Sequence, residues 1–180
     1  CLLKRKAMCH YISGLIHNDF DLAELNEIGT SYSITFADCT NDFVKKQLDN
    51  NDKYLIKNST YCDCGTELGA LQRINKRDDR RKKELDRLKK KGWSDTKIQR
   101  WINDKKKVVV RSDIENWITF IKDLFSQTKI KKFGIMLHWY SGNVNSEKIS
   151  LREKLKIRLN ELDYQKLLQI KEDTFYYIER

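Results

Sequence analysis

The sequence predicts an α+β fold, in which a mixed β-sheet packs with helices and carries an inserted basic helical hairpin. Short segments rich in β-favouring residues alternate with segments of helical periodicity, which is typical of this fold class. The 180 residues contain no proline, so long helices are permitted. The net charge of +10 is confined to residues 73–107, which hold 16 of the 36 basic and 6 of the 26 acidic residues.

The N-terminal third predicts three strands and two short helices. Residues 8–16 form an apolar segment that predicts a buried strand. Residues 22–29 place leucine and isoleucine at helical spacing and end in glycine, so they predict a short helix. Alternating apolar residues over 31–36 predict a second strand. Asn41 is a suitable N-cap for a second helix, and residues 53–57 predict a third strand.

The third strand leads into the sequence YCDCGTELG, which begins at Tyr61. We interpret its residues 62–65, the thiol turn, as a structural joint between the sheet and a long helix. Gly65 allows an unusual φ angle, Asp63 is suited to accept a bond from a nearby backbone N–H, and Thr66 is suited to cap the helix. One cysteine of the turn is then expected to face the core, and the other to lie near the start of the helix.

A pair of helices is predicted after the thiol turn. The helical pattern runs from residue 66 to 91, and Gly92 is a suitable residue to end it in the left-handed conformation. Ser94 is suited to cap a second helix. Trp93 and Trp101 are expected to fold back over the leucines at the end of the first helix.

The middle of the first helix divides the chain into two predicted units. Ten consecutive residues, NKRDDRRKKE, contain no apolar side chain. A helix that is polar all round bridges solvent or binds a partner, and does not pack in a core. We therefore predict that residues 1–65 and 108–180 form the α+β core domain, and that residues 66–107 form the inserted basic helical hairpin.

The remaining residues predict one long helix, three strands and one short helix. Residues 112–115 form a capping box before the clearest amphipathic pattern in the chain. The strands are expected at residues 132–140, 154–159 and 174–179, and the short helix near residues 162–168. Residues 107–111, KVVVR, fit either a short strand or a return of the chain to the core. This order of elements predicts a sheet covered by helices on one side.

Three cysteines and one histidine predict a site for structural zinc. Cys9, Cys62, Cys64 and His138 form a Cys₃His set suited to tetrahedral Zn²⁺ if their strands are neighbours. A disulfide between the two cysteines of the thiol turn is disfavoured, because the ring would be tight. The alternative interpretation is structural: Cys9 and Cys39 are small buried hydrophobic residues, and His138 is a hydrogen-bonded core residue.

A catalytic interpretation of the same residues needs a thiolate, because the thiol is a poor nucleophile. Cys64 lies just before the long helix, where the helix dipole and backbone N–H groups are expected to lower its pKa and to hold an anion. Cys62 is the other candidate nucleophile, and His10 or His138 is the candidate base. This interpretation predicts a small thiolate- or zinc-centred enzyme that acts on an anionic substrate.

The cysteine content and the hydropathy indicate a reducing, cytoplasmic location. The five cysteines cannot all pair within one chain. We find no secretory signal pattern. No apolar run approaches the length of a membrane span. Disulfides are rare in proteins of that compartment, so free thiols are expected.

The basic helix predicts nucleic-acid binding with little sequence specificity, to either DNA or RNA. Basic side chains that neutralise phosphates release counterions, and exposed tryptophans stack on bases. The expected face consists of Arg73, Arg77, Arg80, Arg81, Lys83, Arg87 and Lys91. Two alternatives stay open: the helix binds a protein partner or a second copy of the chain, or its charges are simply solvated.

Overall fold

The computed structural model describes residues 9–58, 62–105 and 113–180, apart from the side chains of 72–81 and 102–105. Six strands are formed by the described residues: β1 (Cys9–His17), β2 (Phe36–Asp38), β3 (Asp52–Lys57), β4 (Lys132–Tyr140), β5 (Glu153–Arg158) and β6 (Thr174–Glu179). They make one sheet in the order β2-β3-β1-β4-β6-β5. The β5–β6 pair is parallel and the other pairs are antiparallel, so the predicted mixed sheet is confirmed.

The described helices are α1 (Leu22–Thr30), α2 (Asp42–Lys45), α3 (Glu67–Lys90), α4 (Asp95–Lys105), α5 (Ile114–Gln127) and α6 (Tyr164–Leu168). These helices, together with the mixed sheet, confirm the α+β class. Among these helices, none combines the length and the apolar character needed to span a membrane.

Strand β1 lies at the centre of the sheet and positions the thiol turn. It pairs with β4 from Cys9 to Leu15. Its described pairing with β3 on the other side runs only from Ser13 to His17. On the side toward β3, the first residues of β1 therefore lie beside the thiol turn, which follows β3 in the chain.

Both faces of the sheet are covered, so the prediction of cover on one side is wrong. Helices α1, α5 and α6 and the start of α3 pack on one face, around Ile12, Trp117 and Phe120. On the other face, α2 and the segment that contains Val144 and Ile149 cover an apolar cluster. The reason is that the central strands are apolar on both faces, which requires cover on both.

The second strand is shorter and later than predicted. The predicted strand covers residues 31–36, whereas β2 begins at Phe36. Tyr32 and Ile34 donate backbone hydrogen bonds to the carbonyl oxygen of Gly29, and Ser33 has a φ of 58°. These residues form the turn that ends α1, and such a turn uses the left-handed conformation. The alternation of apolar residues here reflects packing of a turn, and not a strand.

The capping predictions are confirmed at four helix ends, including the start of α4, where the Ser94 hydroxyl accepts a bond from Lys97 N at 3.4 Å, and modified at a fifth. The Asn41 and Thr66 side chains accept backbone N–H bonds at the starts of α2 and α3, and Gly92 has a φ of 74° after α3. Helix α5 begins after Asp113, whose carboxylate accepts bonds from Leu68 N and from the indole of α5 instead of capping its own helix. Ser112 and the KVVVR segment lie outside the described residues.

The start of α3 belongs to the core, and its end does not. Leu68, Ala70 and Leu71 are buried. Near the other end, Leu85 and Leu88 are half-buried, and the rest of the residues from 82 to 91 are exposed. A turn at 91–94 separates α3 from α4. That these two helices form an inserted hairpin, and that the chain divides at residues 65 and 108, stay predictions.

Candidate metal centre

Side chains of the thiol turn take the place of β3 beside the first residues of β1. Residues 63–65 form one turn of 3₁₀ helix. The backbone N–H of His10 donates to the Cys64 sulfur at 3.2 Å, and the N–H of Ile12 donates to Asp63 Oδ2 at 2.9 Å. These N–H groups belong to the part of β1 that faces the thiol turn. The thiol turn therefore satisfies the backbone donors of β1 that β3 does not reach.

Asp63 is the buried anchor of the thiol turn. Its side chain is 1% exposed, and its Oδ1 accepts a bond from Lys57 Nζ at 2.5 Å. Its own carbonyl oxygen accepts bonds from the N–H and the hydroxyl of Thr66. Burial raises the pKa of Asp63, and the Lys57 ammonium opposes that effect. The structure thus gives Asp63 the backbone N–H bond that the sequence predicts.

The turn brings three thiols together. The sulfurs of Cys9, Cys62 and Cys64 lie within 4.8 Å of one another, and all three residues are half-buried. Cys9 and Cys62 also pack against the apolar cluster on the α2 face of the sheet. In a tetrahedral zinc site with Zn–S bonds of about 2.3 Å, two sulfurs lie about 3.8 Å apart. A contraction of at most about 1 Å would therefore bring the three sulfurs to the separation of ligands around one ion.

The three thiols differ in their tendency to ionise. Burial, followed by the hydrogen bond and the charge of Cys62, raises the pKa of Cys9 to about 12. Burial also opposes ionisation of Cys62, but hydrogen bonds from the Cys9 thiol and the Cys64 backbone outweigh it and lower its pKa. Burial raises the pKa of Cys64, although the N–H bond from His10 acts against it. Cys62 is therefore the first of the three to become a thiolate.

The expectation that the start of the long helix activates Cys64 is wrong. The pKa of Cys64 is raised because burial outweighs the hydrogen bond it accepts. The first N–H groups of α3 are also occupied: Leu68 N donates to Asp113 Oδ1, and Gly69 N donates to the Thr66 hydroxyl. Both of these N–H groups therefore already donate hydrogen bonds to side chains of the protein.

His10 is the imidazole that lies beside the thiols. Its Nδ1 is 3.9 Å from the Cys64 sulfur, and its Nε2 is 2.6 Å from Glu172 Oε1. The ring is nearly buried and makes an edge contact with Trp139. Sequence reasoning names His10 only as a candidate base and takes His138 as the histidine of the Cys₃His set. The contact of His10 with Cys64 is a tertiary contact that the sequence does not indicate.

His138 lies in a different network from the thiols. It is opposite Tyr11 in the sheet, and its Nδ1 is 2.5 Å from Asp173 Oδ1. Its Nε2 is 3.8 Å from Glu147 Oε1. In the part of the chain that the structure describes, these three cysteines are the only group of three or more cysteine, histidine or acidic residues whose ligand atoms all lie within 4.8 Å of one another. The structure thus brings together Cys9, Cys62 and Cys64 of the predicted set, and gives His138 carboxylate partners instead.

Part of the predicted nucleic-acid face lies in the described region. Arg73, Arg77, Arg80 and Arg81 lie on α3, but their side chains are outside the described residues. The side chains of Lys83, Arg87 and Lys91 are exposed at four-residue intervals, which places them on one face of the helix. Trp93 is half-buried, and Lys97 Nζ lies 4.1 Å from the centre of its ring. One face of this indole is therefore already covered by a cation.

Comparison with models of known protein families, with curated proteins and with solved structures finds no match to this chain.

Proposed function

We propose that this protein binds one soft metal ion, with Zn²⁺ as the first choice, through Cys9, Cys62 and Cys64. The observation that supports the proposal is the convergence of three sulfurs within 4.8 Å from two segments that are distant in sequence. Thiolate ligands favour Zn²⁺ and Cu⁺ over magnesium or calcium. None of these three cysteines forms a disulfide, as a metal site in a reducing compartment requires.

The ion would fasten the start of α3 to the sheet. Cys9 opens β1, whereas Cys62 and Cys64 lie immediately before α3. A metal bound between them adds its binding free energy to that of folding, because the unfolded chain does not hold the ligands in place. This role agrees with the interpretation of the thiol turn as a joint, and it supports zinc as a structural ion.

The metal content of the purified protein tests this proposal. The full chain, purified without a metal-affinity tag and under reducing conditions, is expected to contain about one equivalent of zinc by elemental analysis. Cys9→Ser, Cys62→Ser and Cys64→Ser are each expected to lose most of it. Cys39→Ser is the matched control, because Cys39 is buried outside the cluster and bonds Asn145. Absence of zinc from the wild type, with none taken up on titration, would contradict the proposal.

A second candidate function is nucleic-acid binding by the basic end of α3. The observation that favours it is the exposure of Lys83, Arg87 and Lys91 on one face of the helix, within the segment that carries the whole net charge. Such a surface contacts phosphates without reading sequence. A cytoplasmic location remains part of this proposal, as does the choice between DNA and RNA.

Binding to mixed-sequence oligonucleotides tests this second candidate. The variant with Lys83, Arg87 and Lys91 all changed to Glu is expected to bind weakly. Its plot of log affinity against log salt is expected to be less steep by about 2.7, because each phosphate that a basic side chain neutralises contributes about 0.9 to the slope. The control changes Lys122, Lys129 and Lys131 to Glu, which are also exposed and alter the net charge equally. Equal weakening in both variants would indicate attraction to net charge alone, and would contradict a role for this face.

Sedimentation of the same two variants addresses the remaining alternative. If the basic end of α3 joins two copies of the chain, the first variant is expected to change the sedimentation of the free protein, without oligonucleotide. Unchanged sedimentation of a single species in wild type and variant would contradict self-association through this face.

A further inference from the structure

The environment of His10 bears on whether the proposed metal site is closed or open. A site with three protein ligands keeps a position for water and is typical of catalysis, whereas a structural zinc site has four protein ligands. The identity of the fourth ligand therefore decides between a structural ion and a zinc-centred enzyme. Among the residues that the structure describes, the His10 ring is a candidate for this ligand, and solvent is the alternative.

The Nδ1 atom of His10 is already near the distance that a fourth ligand requires. It lies 3.9 Å from the Cys64 sulfur. In a tetrahedral site with the usual Zn–S and Zn–N bonds, a sulfur and a nitrogen ligand are about 3.5 Å apart. The ring is not within 4.8 Å of all three sulfurs, so binding would also draw it toward Cys9 and Cys62.

The other nitrogen of His10 has the partner that metal-binding histidines usually have. Its Nε2 is 2.6 Å from Glu172 Oε1. In a neutral ring whose Nε2 donates to this carboxylate, Nδ1 carries the lone pair, and Nδ1 is the nitrogen that lies near the Cys64 sulfur. A carboxylate that holds a histidine in this way fixes the tautomer and the ring orientation, and it raises the basicity of the ligand nitrogen.

The surroundings restrict the ring to this orientation. His10 is 4% exposed, and Trp139 contacts it with ring centroids 4.8 Å apart. Its own backbone N–H holds the Cys64 sulfur. The same residue thus positions one thiol through its backbone and faces that thiol with its side chain.

We propose that His10 is the fourth ligand of the metal, through Nδ1, and that Glu172 is its positioning residue. The inference rests on the proposed function, because it assumes an ion at the three thiols. The site is then a closed Cys₃His centre with a structural role, and a zinc-bound water for catalysis has no position in it. On binding, the thiol protons are released to solvent while the Glu172 contact keeps the proton on Nε2.

Cobalt substitution in the full chain tests the fourth ligand directly. Co²⁺ bound to wild type is expected to show tetrahedral d–d bands and charge-transfer bands from three thiolates. His10→Gln is expected to retain the charge-transfer bands, to shift the d–d bands and to bind Zn²⁺ at least about 100-fold more weakly. Glu172→Gln is expected to keep the d–d bands and to weaken zinc binding by about tenfold.

His138→Gln is the matched control. His138 is also nearly buried, lies in the neighbouring strand and contacts a carboxylate, that of Asp173. The substitution is expected to leave the cobalt spectrum and the zinc affinity unchanged. In ¹⁵N-labelled wild type, Zn²⁺ is expected to change the Nδ1 resonance of His10 far more than either nitrogen of His138.

These measurements distinguish a wrong fourth ligand from the absence of a metal site at the three thiols. If wild type binds no metal at all, the three-thiol site itself is rejected. If wild type binds one equivalent and Cys9→Ser does not, but His10→Gln matches wild type in spectrum and affinity, the fourth ligand is not His10. If His138→Gln is the variant that loses affinity, the Cys₃His set with His138 is correct instead.

Discussion

The thiol turn and the basic end of α3 are separated by a single helix, yet they are built in opposite ways. In the thiol turn, side chains accept bonds from the backbone of β1 and from a lysine, and the two sulfurs lie within 4.8 Å of that of Cys9. Between residues 82 and 91, by contrast, all side chains except Leu85 and Leu88 are exposed. The first region depends on contacts between distant segments, and the second depends on composition alone. A small change in the first therefore costs stability, while the second tolerates large changes of charge.

The largest expected effect is the loss of the Asp63 carboxylate. Asp63→Ala leaves the Lys57 side chain, which is 10% exposed, without its carboxylate partner, and it leaves the N–H of Ile12 without an acceptor. Removal of one member of a buried ion pair costs about 3–5 kcal/mol. Urea unfolding of the metal-free protein is expected to show a decrease of this size in the free energy of unfolding.

A double-mutant cycle with Lys57→Met distinguishes the ion pair from the backbone bond. Because the second change removes the stranded charge, the double variant is expected to lose less stability than the sum of the two single variants. Strict additivity would indicate that the carboxylate acts mainly through Ile12.

The second effect concerns the two glycines beside the turn. A Cβ at Gly69 would lie 2.0 Å from the backbone oxygen of Asp63, whereas a Cβ at Gly65 would meet nothing within 4 Å. Gly69→Ala is therefore expected to destabilise the protein by about 2–3 kcal/mol through overpacking. Gly65→Ala is expected to be neutral or stabilising by up to about 1 kcal/mol. Thermal unfolding of the two variants measures the difference, and equal effects would contradict the close approach of α3 to the turn.

The same pair of glycines shows where a small residue is required in this turn. The sequence predicts an unusual φ angle at Gly65, but the only described glycine with a positive φ is Gly92. The turn at Gly65 is ordinary 3₁₀ helix, which an L-residue adopts without strain. Smallness is needed four residues later, where the first turn of α3 packs on the Asp63 backbone. A sequence shows which residues are small, but only the tertiary contact shows which positions require a small residue.

The third effect is a difference in thiol reactivity within the cluster. The pKa of Cys62 is lowered from its ordinary value of 9.0, and that of Cys9 is raised to about 12. The thiolate fraction near pH 7.5 is therefore larger at Cys62 than at Cys9, and the lower nucleophilicity of the more acidic thiol only partly offsets this difference in the rates of reaction. Iodoacetamide is expected to label Cys62 first, as peptide mass analysis would show, and bound zinc is expected to protect it. Preferential labelling of Cys64 would overturn the order of ionisation.

Much of the fold could be predicted because its signals are local. Strand β4 and helix α5 have apolar patterns long enough to fix their type, and Asn41 and Thr66 mark helix starts by their own chemistry. Strand β2 is misplaced by the sequence pattern because the turn after α1 also uses alternating apolar residues. In that turn, hydrogen bonds to Gly29 override the strand preference of the side chains.

The site could be predicted only in part, because its geometry is set by pairing between distant segments. The sequence shows that Cys62 and Cys64 are close, but the position of Cys9 depends on the register of β1 against β3 and β4. Both His10 and His138 are compatible with the sequence. What separates them is the side-chain contact of Cys64 with one and of Asp173 with the other, and no local pattern encodes either contact.

The smallest expected effect on stability is that of reversing the charges at the basic end of α3. Changing Lys83, Arg87 and Lys91 to Glu relieves repulsion within the most basic segment, but it places negative charge near the negative end of the helix dipole. The two effects oppose each other, and both are screened by salt because the side chains are exposed. The melting temperature at 0.15 M salt, an ionic strength of about physiological value, is expected to change by less than roughly 3 °C. A decrease comparable to that of Asp63→Ala would show that this face packs against part of the protein. The contrast between a thiol turn that depends on tertiary contacts and a basic helix end that depends on composition would then no longer hold.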